Sequence, residues 1–303
     1  MKVIQINPNI TAFYYGADSV GNQNPSSGSE NDWVYGACIS LGVASYAIHN
    51  GDSCLVFDTL CSPEQAGEIK IYLEQLGMVK FSVVNSHWHL HHIGGNALYK
   101  GCNIIGTRKT RRELVEQKDL IEAGISSWGP PAIEAVYPPD IVFDSELSVF
   151  LGDLEVCLKA VNIHSADSLC AYIPRYKVLL AGDMVEDTIP YITNPEALDT
   201  HLRNYALLKE MDIAAILPNH CRLAPLEKGG YSKEIIASSA YYLGELLRLL
   251  ETDPDAEPLE LRSFMAEYLD RGVVAYWPPY ERVHRNNAEK LRAYLKSGKE
   301  ADA

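Results

Sequence analysis

The sequence predicts an α/β protein of four layers, an αββα sandwich with helices outside two facing sheets, and three observations carry that expectation. Short apolar, β-branched strand patterns alternate with helical patterns in two halves of the chain. In each half, histidine or aspartate stands at strand tips: His87, His89, His91 and His92 after the run at 80–84, His164 after 160–163, Asp183 after 177–182 and His220 after 213–217. Beyond His220 the pattern turns purely helical, which predicts one domain over 1–303 with a core of about 1–225 and a helical C-terminal extension of about 229–298.

Residues 2–6 and 11–15 read as paired strands about the turn Asn7-Pro8-Asn9. Residues 22–31, rich in Gly, Ser, Asn and Pro, read as a loop. Strands follow at 33–41 and 44–49, with Asn50-Gly51 a hairpin turn into the strand 52–58. His49, beside that turn, reads as a surface residue. Ser62-Pro63-Glu64 opens a helix, with Ser62 as cap and Pro63 at the first helical position. That helix should run to about Leu76, burying Ala66, Ile69, Leu73 and Leu76, and stop at Gly77.

The pattern at 107–123 is a helix whose run Arg108-Lys109-Thr110-Arg111-Arg112 is a solvated face. The connection 124–140 is long and Pro-rich, with Trp128-Gly129-Pro130-Pro131 and Tyr137-Pro138-Pro139; it is a candidate substrate wall, with plain packing the alternative. Strands are expected at 141–143, 147–151, 154–161, 168–173 and 177–181, then a helix at 195–211. Ile236, Ala240, Leu243, Leu247 and Leu250 recur at helical spacing, widened by Ile235 and Leu246, and further helices are expected at 257–271 and 286–297. Between them the aromatic turn from Tyr276 to Tyr280 can pack over a pocket or join two copies of the chain as a homodimer.

Four of the nine histidines fall within six residues of the run Ser86-His87-Trp88-His89-Leu90-His91-His92. On extended backbone the side-chain period of two lets His87, His89 and His91 lean to one side, while His92 approaches from the turn toward Gly94-Gly95. Neutral imidazole is the commonest metal ligand, so this geometry reads as one for holding metal, with His164, Asp183 and His220 completing it.

This set, with Asp58 ending the strand 54–58, resembles the metallo-β-lactamase superfamily of binuclear metal hydrolases from about residue 34 to 220, in the family's order. The resemblance implies the sandwich fold, one metal on His87, His89 and His164, a second on His92, His220 and the residue at 91, and Asp183 bridging. The family usually has Asp where this chain has His91. The branch of true β-lactamases with Cys at the place of Asp183 and Arg at that of His92 is thereby set apart.

Two divalent ions about 3.5–4 Å apart share a bridging water, lower its pKa toward about 7 and polarise a scissile ester, thioester, lactone, amide or phosphoester. Imidazole-rich sets favour zinc, with iron or manganese as alternatives. Asp183 and His91 are the candidate catalytic residues, and Asp58 is expected to accept a proton from the far nitrogen of a ligand histidine. Replacing Asp by His91 removes a proton-accepting carboxylate, a loss of about 10²- to 10⁴-fold that selects good leaving groups. The expected function is therefore metal-dependent hydrolysis of an ester, thioester or lactone. A phosphodiesterase or β-lactam-type amide hydrolase uses the same site, and a di-iron redox or non-catalytic binding protein is the alternative of another class.

The net charge of −14, from 40 acidic against 26 basic residues, gives no footprint for nucleic acid or anionic membrane and leaves a small molecule as the expected partner. Seven cysteines without CxxC spacing, a start lacking an apolar signal run, and the absence of any apolar stretch of about 18 residues predict a cytoplasmic protein with reduced thiols.

Overall fold

In the computed structural model, which describes residues 1–16, 36, 40–125 and 133–301, two sheets face each other. β1 (Lys2–Asn7) and β2 (Ile10–Tyr15) form the expected hairpin. β3 (Val43–Asn50) and β4 (Ser53–Phe57) form another, closed at Gly51, whose φ of 60° suits a residue without Cβ. β5 (Lys80–Val84), β6 (Asn103–Thr107) and β7 (Ile141–Phe143) continue from β4 in parallel, so the first sheet runs in sequence order. The second sheet comprises β8 (Glu146–Leu151), β9 (Leu154–Ala160), β10 (Leu169–Ile173), β11 (Val178–Gly182) and β12 (Ala215–Pro218), in the order β12-β11-β10-β9-β8. Only β11 and β12 pair in parallel there. The helices are α1 (Pro63–Gln75), α2 (Leu90–Ile93), α3 (Arg108–Glu122), α4 (Leu198–Glu210), α5 (Leu223–Glu227), α6 (Glu234–Thr252), α7 (Leu261–Phe264), α8 (Ala266–Asp270) and α9 (Tyr280–Ala301).

The period of two divides the first sheet's side chains between two cores. Ile10, Ala12, Tyr46, Ile48, Leu55 and Phe57 share a cluster with Leu154, Val156 and Leu158 of the second sheet. Their alternating neighbours Phe13, Ala47, Cys54 and Val56 instead meet Ala66, Ile69 and Leu73 of α1. β11 is buried along its whole length and shares its cluster with Tyr205 and Leu208 of α4 and with Tyr242 and Leu246 of α6. These contacts make the predicted four layers, with the C-terminal helices continuing the outer one. No helix among the described residues is long and apolar enough to cross a membrane.

Several expectations are corrected. Leu76 lies outside α1's buried face, 47 % exposed, because the helix ends at Gln75 and Leu76 is already its C-cap. The strand expected at 33–41 falls mostly outside the described residues, and where it is described, at 36, 40 and 41, the backbone is helical. The loop at 22–31 and the segment 128–131 also lie outside them. The described end of the proline-rich connection is packing: Tyr137 rests on the α1-side core, and its carbonyl accepts from Asn96. The helix expected at 257–271 is two short helices starting at Leu261, and α9 begins at Tyr280, six residues earlier than expected. β6 had no separate expectation, since Asn103–Thr107 is too short to show a period beside the helix that follows. His49 is half-buried against Thr11, not a free surface residue.

Candidate metal centre

At the end of β5 the chain is locked before the first histidine. Ser86 N–H donates to Asp58 Oδ1 (2.7 Å), and Ser86 O accepts from Leu169 N of β10 (2.8 Å), so this peptide joins the two sheets. Trp88 N–H donates to Asp167 Oδ2 at 2.9 Å. The extended backbone then ends sooner than expected. Leu90–Ile93 is a helical turn, so His91 and His92 point from a helix, and it is this turn, not strand alternation, that separates His91 from His87 and His89. Gly94-Gly95 follows with ordinary negative φ values. Its need for glycine is close approach: a Cβ on Gly95 would stand 2.1 Å from Ala66 Cβ, and one on Gly94 2.4 Å from Cys61 O.

The remaining groups come from the second sheet. His164 follows β9 with a left-handed φ of 67°, its carbonyl accepting the Thr193 hydroxyl. Asp183 follows β11. His220 follows β12, whose neighbour Asn219 donates its backbone N–H to Gly182 O at 2.9 Å. Parallel pairing of β11 and β12 therefore sets Asp183 and His220 side by side.

Seven side chains converge as two sets sharing one carboxylate: His87, His89, His164 and Asp183, and His91, His92, Asp183 and His220. In the first, His87 Nε2 lies 2.9 Å from His89 Nδ1, which lies 3.2 Å from His164 Nε2; Asp183 Oδ2 is 3.7 and 3.8 Å from His87 and His164. In the second, Asp183 Oδ2 lies 3.0 Å from His92 Nε2, 3.3 Å from His220 Nε2 and 3.6 Å from His91 Nε2, and the last two nitrogens are 3.0 Å apart. Tetrahedral bonds of about 2.0–2.1 Å to nitrogen require donor atoms roughly 3.4 Å apart. The observed 2.9–3.8 Å bracket that spacing. Asp183 Oδ1 is buried with no hydrogen-bond partner, a costly position for a carboxylate oxygen unless a cation meets it. The residues fit a pair of divalent ions. Five of the six imidazoles are buried, while His91 keeps 19 % of its side chain exposed and marks the open side.

The electrostatics suit ligation. Burial, reinforced by neighbouring imidazoles, holds His87 and His89 well below the usual histidine range, and it pushes His91 down to about 3 and His164 to about 4. These rings are neutral at pH 7, the form that binds metal. His92 is opposite in sign: burial opposes its charge, but Asp183 and Asp58 on either side raise it to about 10. Burial likewise opposes the charge of Asp183, yet His220 and His92 hold its carboxyl well below the carboxylate range.

Asp58 stands where a supporting carboxylate was expected, its Oδ2 2.9 Å from His92 Nδ1. Asn219 Nδ2 donates to the same oxygen at 2.7 Å, and Ser86 Oγ is 2.9 Å from His87 Nδ1. The sequence reading missed Asn219, Ser86, Asp167 and Glu186, whose Oε1 lies 3.9 Å from His164 Nδ1. Their one legible signal was adjacency, each lying within four residues of a candidate ligand. Cys221, next to His220, is buried, with its thiol pushed up by burial and no place in either set.

The sequence profile of the metallo-beta-lactamase superfamily matches residues 40–220. A search of curated proteins returns no match. Among solved structures, a metallo-beta-lactamase from Pontibacter korlensis is similar at 15 % identity and TM-score 0.55, covering 78 % of this chain and 95 % of that one. One from Hirschia baltica is similar at 14 % identity and TM-score 0.55, covering 79 % and 96 %. A metallo-beta-lactamase family protein from Thermus thermophilus reaches 20 % identity and TM-score 0.53, covering 78 % and 92 %. At these identities the likeness concerns the fold.

Proposed function

This chain belongs to the metallo-β-lactamase superfamily, and on that premise we propose that it is a hydrolase carrying two divalent metal ions, zinc first, that cleaves an ester, thioester or lactone with a good leaving group. The observation that supports this most is the pair of four-residue sets meeting on Asp183. Such a pair of ions, when bound, supplies an acidified water and polarises the scissile carbonyl.

The chain's own residues do the rest. His87, His89 and His164 would hold one ion and His91, His92 and His220 the other, with Asp183 common to both sets. Asp58 accepts the Nδ1 proton of His92, which leaves Nε2 free as a donor atom and fixes the ring's rotation. His91 sits where a carboxylate would accept a proton and return it to the leaving group, and an imidazole whose Nε2 is engaged cannot do so. The substrate must therefore expel its leaving group largely unaided, as a thiolate, an enolate or a ring-strained alkoxide does. It would enter from the His91 side, where the centre is exposed.

Elemental analysis after expression in metal-supplemented medium, combined with a hydrolysis panel of thioesters, lactones and activated esters, tests the proposal. About two transition-metal ions per chain and activity lost on chelation are expected. A folded, active preparation with only trace metal would overturn it.

A further inference from the structure

The loop that follows Asp183 is held from behind by the C-terminal segment. Ala275 N–H donates to Asp187 Oδ1 (2.8 Å), Thr188 Oγ1 donates to Ala275 O (2.6 Å), Ile192 N–H to Asn287 Oδ1 (2.9 Å) and Asn287 Nδ2 to Pro190 O (2.9 Å). In the middle of this seam Glu186 is buried, its Oε1 accepting from Tyr191 N (3.1 Å) and its Oε2 from the Tyr280 hydroxyl on α9 (3.2 Å). Glu186 Oε1 also lies 3.9 Å from His164 Nδ1, too far for a hydrogen bond, and that nitrogen is buried without a hydrogen-bond partner. His164 turns its Nε2 toward the first metal set, so the proton of the neutral ring belongs on Nδ1, where a buried N–H requires an acceptor.

We propose that Glu186 is the positioning residue of His164, accepting its Nδ1 proton once Nε2 is engaged, and that Tyr280 thereby makes the C-terminal helix part of the first metal set. A closure of about 1 Å brings the pair to hydrogen-bond length. Glu186 then does for His164 what Asp58 does for His92, but with its carboxylate held by a segment that lies beyond the residues matched by the family profile. This inference rests on the metal-centre reading above.

The test titrates the metal-free protein with Zn²⁺ against a chromophoric chelator, reading the affinity of each equivalent. Glu186→Ala is expected to weaken one equivalent by about 10- to 100-fold and leave the other unchanged, while Glu186→Gln, which keeps a carbonyl acceptor and the packing, recovers most of that loss. Tyr280→Phe should weaken the same equivalent by a smaller factor. Should Glu186→Ala fail to fold, Glu186→Gln still decides: in the zinc-loaded protein one imidazole N–H proton resonance shifts relative to the parent and the others stay in place. Both equivalents at parental affinity in the Glu186 variants, equal weakening of both, or an unmoved ring-proton spectrum would overturn the inference. A parent that takes up no zinc is a separate result, visible before any variant is compared, and it defeats the metal-centre reading together with this one.

Discussion

The role proposed for His91 is testable one ligand set at a time. His91 Nε2 lies 3.0 Å from His220 Nε2 and 3.6 Å from Asp183 Oδ2, within the second set. His91→Ala is therefore expected to lower occupancy of the second ion while leaving the first largely filled. His91→Asp should keep both and speed hydrolysis of poor leaving groups relative to good ones, because a carboxylate there can accept a proton. Native mass spectrometry and rates on paired esters check this, and unchanged stoichiometry in His91→Ala would refute the assignment. Asp58 gives a second prediction at this scale. Asp58→Asn can present its amide nitrogen to His92 Nδ1 and removes the charge that Ser86 N–H and Asn219 also address, so zinc affinity should fall by about 10- to 100-fold. Competition titration reads the loss.

For the elements, burial separates residues that share one helical stripe. Leu73 of α1 is fully buried against the first sheet, and Leu73→Ala should cost about 2–5 kcal/mol in urea unfolding. Leu76 belongs to the same sequence stripe but is exposed, so Leu76→Ala should stay within about 0.5 kcal/mol of the parent. Equal losses at both positions would mean that the helix continues past Gln75 and packs Leu76 after all. Gly95 shows another constraint on this scale: the turn after the histidines passes so close to α1 that alanine would meet Ala66 Cβ at 2.1 Å. Gly95→Ala should therefore disturb α1 and the histidine turn together.

For the molecule as a whole, the candidate metal centre spans the two sheets, since His87, His89, His91 and His92 follow β5 of the first while His164, Asp183 and His220 follow strands of the second. Ions bound to the native state alone stabilise it by mass action, about 4 kcal/mol at a thousandfold excess over Kd. Chelation should accordingly lower the melting temperature by roughly 5–15 °C for a chain of this size. Calorimetry of loaded and chelated protein checks this, and coincident melts would argue against occupancy. The C-terminal helices are equally part of the whole: Ile235, Tyr242, Leu246, Tyr280 and Leu291 share one cluster with β10 and β11. A chain ending before residue 229 would leave that apolar face bare and is expected to aggregate on expression.

The sequence alone determined what depends on local pattern. Short apolar, β-branched runs marked most strands, the Ser62-Pro63 cap marked the start of α1, and histidines or an aspartate at strand ends marked the residues that the fold brings together. Tertiary structure decided what depends on distance between segments. It set where α1 stops burying leucines, and it made close approach, not turn conformation, the reason for Gly94-Gly95. It also put His91 on a helical turn that carries it to His220, 129 residues away in sequence. Glu186, Asn219 and Asp167 stayed hidden for the same physical reason. A supporting hydrogen bond has no period and no spacing along the chain; it exists only once β10, β11, β12 and α9 have packed and left a buried polar atom in need of a partner.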